Sequence, residues 1–308
     1  MPSYFRPGVL RRSLLRLLLL GAVQLVGVAQ AAEKPPPLHF GVVSFYNPRL
    51  MYLKYQPLVD FLTEQTGRPW ELEVSASYEP TVEKLCGGEL AAAYLGPFTY
   101  VRAHERCGAL PVVRLQTHGK ASYQSLIMVR SESGFQKLAD LTGTTFGFGA
   151  PLSTASHLVP RAMLAAAGLA LDRDLRCRYL WHHEKAARAV LLGEVDACGV
   201  RDIVGEKFTQ KGLRILARSE PIPNFPFVVS PVSPPEVREA LIRALVILPR
   251  TETRVAAAMA SWDEELAGGF ALASAAEYEP VKALAIKVFG PLVLSLPEAA
   301  LTCRAPES

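Results

Sequence analysis

Neither a CxxC nor an HxxxH spacing occurs in the chain, and the adjacent His182 and His183 do not make a zinc set. No GxSxG elbow is present, which removes one sequence sign of a serine hydrolase. After Val28 no long uncharged apolar run recurs, so no later segment is expected to span a membrane. An excess of one charge is missing as well. Of the 33 Lys and Arg, four (Arg6, Arg11, Arg12 and Arg16) lie in the first 31 residues, which hold no Asp or Glu; the other 29 are matched by 29 Asp and Glu. A balanced chain lacks the basic bias that neutralises a phosphate backbone, so nucleic acid is not an expected partner and any anion must be caught locally. What is present is 308 residues, 50% of them apolar, with Gly and Pro scattered along the chain. That suits two packed lobes and excludes a disordered, collagen-like or disulfide-scaffold protein.

The first 31 residues combine an Arg-bearing start, the run Leu14-Leu15-Arg16-Leu17-Leu18-Leu19-Leu20 continuing to Val28, and the small-x-small site Ala29-Gln30-Ala31. This pattern predicts a secretory signal over residues 1–31, cleaved after Ala31 or Ala32. The uncharged stretch from Leu17 to Val28 is shorter than the ~20 residues of a membrane span. Arg11-Arg12-Ser13-Leu14-Leu15-Arg16 loosely resembles a twin-arginine signal, and the ordinary export route stays open. Because no Cys follows the small-residue site, a lipid anchor is not expected, and the mature protein is expected to be freely soluble outside the cytoplasm. Export to an oxidising compartment permits disulfides. Cys86 with Cys107 and Cys177 with Cys198 share a 21-residue separation and are the expected pairs, with Cys303 left over.

Strand and helix patterns alternate along the chain, which argues for α/β lobes with largely parallel sheets. Leu38 to Val43 reads as a strand, Leu50 to Glu64 as a helix, Trp70 to Val74 as a strand, and the alternation continues to Leu216. Gly88-Glu89-Leu90-Ala91-Ala92-Ala93-Tyr94 is echoed by Gly193-Glu194-Val195-Asp196-Ala197-Cys198-Gly199, as two similar lobes would produce. From Pro234 onward helical patterns dominate. The expected organisation is a discontinuous first lobe, residues 36–122 plus 228–303, and a second lobe, 123–227. Tyr123–Arg130 and Ser219–Val229 would cross between them, with a ligand cleft at the junction.

The most informative stretch runs Phe146-Gly147-Phe148-Gly149-Ala150-Pro151-Leu152-Ser153-Thr154-Ala155-Ser156-His157. A strand leads through a Gly/Pro turn into small hydroxyl residues at a helix start. The unpaired N–H groups of a first helical turn attract an anion, and Ser153, Thr154 and Ser156 add hydroxyl donors. An ordinary Ser/Thr N-cap has the same sequence form, and Pro160 either kinks this helix or delays its start.

With those residues in view, the chain resembles the periplasmic phosphate/phosphite/phosphonate-binding proteins of ABC importers. The resemblance covers the mature chain to about residue 230. Tyr55-Gln56-Pro57-Leu58-Val59-Asp60-Phe61-Leu62 is similar to the family's first helix, and Gly87 to Val101 to its G-x-x-D-x-A-(aromatic)-x-G-P-x-x-Y signature. Tyr123-Gln124-Ser125, Leu138 to Gly143, Pro160 to Leu164, His183-Glu184 and Gly193 to Ala197 complete the ordered set. The resemblance implies a type II periplasmic-binding-protein fold, two α/β lobes joined by two crossing segments with the ligand cleft between them. It places Ser153 and Thr154 at the anion-binding pair, Tyr94 at the cleft aromatic, Tyr46 in the loop after the first strand, Tyr123 on the crossing strand and His183 at the second lobe's rim.

Two departures stand out. Ser153-Thr154-Ala155-Ser156 replaces Ser-Thr-Ser-Gly, so the third hydroxyl is lost or displaced. Arg201 stands where phosphonate binders carry an acid, which disfavours an ammonium-bearing guest and favours a second anionic group or a dianion. Each candidate also has a structural role open to it: Tyr94 in the core, Tyr46-Asn47-Pro48 as a turn, His157 facing solvent, and Arg201 paired with Asp202 or Glu206. The expected function is a non-enzymatic, monomeric solute-binding protein that captures a small oxyanion, needs no cofactor or metal, and docks on an inner-membrane ABC permease. A sensor subunit signalling to a membrane kinase is the alternative, and a secreted enzyme acting on a phosphorylated substrate the third reading.

Overall fold

The computed structural model describes residues 1–3, 35–117 and 119–303; the expected signal segment lies outside them apart from residues 1–3. Pro37 onward forms one compact unit. Its first half runs β1 (Leu38–Val42), α1 (Pro48–Thr66), β2 (Trp70–Val74), α2 (Tyr78–Gly87), β3 (Ala92–Tyr94), α3 (Pro97–Cys107) and β4 (Leu110–Leu115). After β5 (Ser122–Tyr123) come β6 (Ser125–Arg130), β7 (Thr145–Phe148), α4 (Val159–Ala166), β8 (Arg176–Tyr179), α5 (His183–Leu191), β9 (Ala197–Arg201), α6 (Asp202–Thr209) and β10 (Leu213–Arg218). The chain then returns through β11 (Ile222–Pro223) and β12 (Pro226–Val229) to α7 (Pro235–Ile242), α8 (Leu248–Thr251), α9 (Thr253–Ala260), α10 (Glu264–Ala267), β13 (Phe270–Leu272) and α11 (Glu279–Phe289).

Two principal sheets result. One has the order β13-β4-β12-β3-β1-β2 and the other β10-β6-β9-β7-β8, while β5 and β11 pair with each other where the chain passes between them. The expected crossings shrink accordingly. Residues 125–130 are an inner strand of the second sheet, and residues 226–229 an inner strand of the first. The sheets are also less parallel than expected. β6 runs antiparallel to β9 and β10, and β12 antiparallel to β3 and β4. Each is the first strand after a passage from the other sheet and so enters from the opposite end. The echoed segments become β3 and β9, inner strands of their sheets.

Helix starts follow their local chemistry. Asn47 caps α1 by accepting from Leu50 N, and Pro48 opens it where no N–H partner is needed. The helix expected from Ser153 begins as a π-turn over Thr154–Leu158 and becomes α-helical at Val159, so Pro160 falls in the first turn of α4 rather than kinking it. Gly268, just after α10, is fixed by close approach, because a Cβ there would lie 1.9 Å from the Gln116 carbonyl oxygen.

Cys86 and Cys107 are bonded, as expected, but Cys177 bonds to Cys303 and Cys198 is free and buried. Sheet parity explains the correction. Phe146 is in register with both Cys177 and Ala197, so Cys177 shares a face with Ala197 and the next residue, Cys198, points to the other. β7 lies between the two strands as well.

Candidate functional site

The parallel strands of both sheets deliver their C-terminal ends to one region, where open α/β sheets place ligands. β1 runs on into Phe45-Tyr46, β3 ends at Tyr94 just before Gly96-Pro97 and α3, β7 leads into the Ser153 turn, and β9 ends at Arg201. The helix starts of α3 and of the Ser153 turn face each other. Phe98 N donates to Thr154 Oγ1 at 2.9 Å, and Thr99 Oγ1 donates to the Leu152 carbonyl at 3.2 Å. Two positive dipole ends thus meet at one hydroxyl.

Ser153 has a defined proton pattern. Its Oγ accepts from Ser156 N at 3.1 Å and lies 3.2 Å from His183 Nε2. His183 Nδ1 takes the backbone N–H of Arg201 at 3.0 Å. A backbone amide only donates, so Nδ1 is the acceptor. Burial and the adjacent Arg201 push the pKa of His183 down to about 3, so the ring is neutral and its proton sits on Nε2, directed at Ser153 Oγ. Ser153 therefore accepts twice and keeps its own O–H to give. His157, expected at solvent, is fully buried: Nδ1 donates to the Pro151 carbonyl at 2.6 Å, and Nε2 receives the Tyr179 hydroxyl at 2.8 Å.

Arg201 lies across the region. Its guanidinium packs on the rings of Phe225 (4.4 Å to the centroid) and Tyr123 (5.0 Å). Nη2 donates to Asn224 Oδ1 at 3.2 Å, and Nη1 pairs with Glu265 Oε1, which also accepts the Tyr94 hydroxyl at 2.7 Å. Burial opposes the arginine's charge, yet Glu265 and the nearby tyrosines hold its pKa well above the ordinary value. Burial, and then Glu265, push Tyr94 and Tyr46 up. Asp202 is only a distant partner of Arg201, at 3.9 Å, and Glu206 pairs with Arg218 instead. The acid that pairs with Arg201 is thus Glu265, on α10.

Seven of the expected residues, Tyr46, Tyr94, Tyr123, Ser153, Thr154, His183 and Arg201, share this region, each no more than 3% exposed. The eighth, Ser156, does not reach it: its hydroxyl donates to the Gly199 carbonyl and packs on Gly149, where a Cβ would lie 2.5 Å from Ser156 Oγ. Ser156 thereby fastens the turn to β9. Sequence reasoning missed Glu265, Tyr55, Phe45, Phe225 and Asn224. Phe225 and Asn224 lie in the proline-rich part of the expected Ser219–Val229 crossing, where no sequence feature marked them, and nothing in Asp263-Glu264-Glu265 separates Glu265 from a surface acid.

Residues 40–278 match the family model described as ABC transporter, phosphonate, periplasmic substrate-binding protein. The phosphate-import protein PhnD of Mycolicibacterium smegmatis is 27% identical over 225 residues, 67% of this chain and 70% of that one. Among solved structures, a binding protein component of an ABC phosphonate transporter from Pseudomonas aeruginosa superposes with a TM-score of 0.70 at 20% identity, covering 81% of this chain and 85% of that one. PhnD1 of Prochlorococcus marinus, solved with methylphosphonate, superposes with a TM-score of 0.72 at 16% identity, covering 82% and 98%. The fold is the type II periplasmic-binding-protein fold. With facing helix starts, a proton-poised serine and a family match over most of its length, the chain belongs to the periplasmic substrate-binding proteins of phosphonate ABC transporters.

Proposed function

We propose that this chain captures a phosphate-like oxyanion (phosphate, phosphite or phosphonate) between two lobes and delivers it to an inner-membrane ABC permease. The lobes are residues 36–122 with 228–303, and 123–227, hinged where β5 pairs with β11. The protein works as a monomer in the periplasm after cleavage near Ala31. The observation that carries the proposal is the convergence of the Ser153 hydroxyl, Thr154 Oγ1 and the α3 N-terminus, which bring donors from both lobes to one point. Anion binding there bridges the lobes and favours the closed form by its differential contacts with it.

Binding without chemistry is supported by the histidine. Ser153 and His183 lie at the distance of a nucleophile and its base, but Nε2 already carries the proton and has no lone pair to accept another. Replacing both Ser153 and Thr154 with Ala is expected to weaken binding of methylphosphonate, phosphate or phosphite more than ~10-fold by titration calorimetry. Unchanged affinity for all three would remove the proposed site.

A further inference from the structure

The Arg201–Glu265 pair leaves specific atoms unmatched. Glu265 is 1% exposed; Oε1 is occupied by Arg201 and Tyr94, while Oε2 is buried with no hydrogen-bond partner. Arg201 Nε and the Tyr55 hydroxyl are likewise buried without a hydrogen-bond partner. With the Tyr123 hydroxyl, also buried without a hydrogen-bond partner, the local inventory is three unmatched donors and one unmatched acceptor, and the acceptor is a carboxylate oxygen that only an O–H or N–H can satisfy. Arginine and glutamate also cancel in charge, and His183 is neutral, so the attraction left for a guest is that of oriented dipoles and hydroxyls, which suits one negative charge better than two.

Resting on the proposed anion site, we infer that Glu265 is a specificity-determining residue that requires a hydrogen-bond donor on the guest. The site selects a singly charged tetrahedral oxyanion that keeps one P–OH, and rejects sulfonates of the same shape and charge. The P–OH donates to Glu265 Oε2, while the ionised oxygens accept from Ser153, Thr154 and the unmatched donors. A sulfonate has three acceptor oxygens and no proton; it leaves Oε2 unpaired and sets a negative oxygen against it, which costs far more than the loss of one hydrogen bond.

The charged and titratable groups around Glu265 are Tyr55 on α1, Tyr46 after β1, Tyr94 on β3, Arg201 on β9, and Asp263, which accepts from Glu265 N and pairs with Lys54. The three tyrosines and Arg201 are shifted upward and His183 downward, so these five groups keep one form between about pH 6 and about pH 9. Across that window the second ionisation of the guest is the expected source of any pH dependence.

The test compares methylphosphonate with methanesulfonate, which at about pH 6 share a methyl group, a tetrahedral centre and one negative charge. Titration calorimetry on the wild-type protein is expected to show methylphosphonate binding ~10–100-fold more tightly than methanesulfonate at about pH 6, and its affinity falling ~10-fold or more by about pH 9. Glu265→Gln keeps a carbonyl oxygen for Arg201 and Tyr94 and replaces the bare acceptor with N–H donors. It is expected to narrow the preference to within ~3-fold, chiefly by admitting the sulfonate. Equal wild-type affinity for the two guests, or methylphosphonate binding that strengthens with pH, overturns the inference without recourse to a variant. An undiminished preference in folded Glu265→Gln does the same. Aminoethylphosphonate separates the donor's source: it is expected to bind no tighter than methylphosphonate at about pH 6, and tighter binding would assign Oε2 to an ammonium instead. If the wild type binds none of these guests, nor phosphate or phosphite, the anion site itself fails.

Discussion

Substituting Ser153 with Ala tests the proton pattern at the centre of the site. Ser156 N and the His183 Nε2–H both end on its Oγ, at 3.1 and 3.2 Å, inside a region that excludes water. Alanine leaves both donors unmatched at ~1–3 kcal/mol each and removes a helix cap worth ~1 kcal/mol, a cost partly counted already in the first of these. The folded state should lose ~2–6 kcal/mol, and at about 2 °C per kcal/mol for a chain of this length the melting temperature should fall by roughly 4–12 °C. Affinity should fall separately. The O–H that a bound anion would accept is lost, and one hydrogen bond to a charged oxygen contributes ~1.5–3 kcal/mol, or ~10–100-fold in Kd. Ser156→Ala is the control: it removes the hydroxyl that fastens the turn to Gly199, costing ~1 kcal/mol of stability, and should change Kd by less than ~3-fold because that hydroxyl faces away from the site. Melting curves and calorimetry with methylphosphonate on the two variants decide the matter. Equal losses of affinity in both, or a Ser153→Ala protein that binds like its parent, would refute the directed-donor reasoning.

Stability should fall on acidification in a window set by two buried histidines. His157 and His183 ionise near 6.5 in the unfolded chain and at about 3 in the fold, so below pH ~6.5 the unfolded state binds protons that the folded state refuses. Each histidine removes ~1.4 kcal/mol per pH unit on the way down, levelling off as the folded rings themselves protonate. Denaturant titrations at a series of pH values should show this slope roughly halved in His183→Gln, and an unaltered slope counts against the burial argument. Thiol titration should find no reactive thiol in the native protein and one, Cys198, after denaturation without reductant; two or more free thiols would contradict the pairing. Cys303→Ser opens a 126-residue separation and Cys86→Ser one of 21, so loop entropy predicts a loss of about 5 kcal/mol for the former and about 3 for the latter. Chemical denaturation that ranks them in reverse would show that something other than chain entropy governs these bridges.

Much of the site was legible because anion recognition here is built from local chain features. The Gly149–Ser153 turn shows a helix start with hydroxyl donors in a dozen residues, and Gly96-Pro97 marks the facing start. What could not be read was the direction of each side chain. Ser153 and Ser156 look equivalent in sequence, yet one is directed into the site and the other into β9, because Gly149 leaves room only on that side. The expected Cys177–Cys198 pair failed for a related reason: equal spacing carries no information about which face of a sheet a residue occupies.

The amino-acid sequence by itself determined the strand and helix alternation, the caps at Asn47 and Ser153, the hydroxyl-bearing turn and the Cys86–Cys107 bridge. Each of these depends on residues within a short stretch of chain or on a simple pairing. Tertiary structure alone decided that Arg201 meets Glu265, 64 residues away, that Tyr94 ties the same carboxylate from a third element, and that Cys303 reaches an edge strand. Such encounters follow from sheet order and from which strands reverse on crossing. A buried charge must find its opposite wherever the fold brings one, and nothing local at Arg201 or Glu265 names the other.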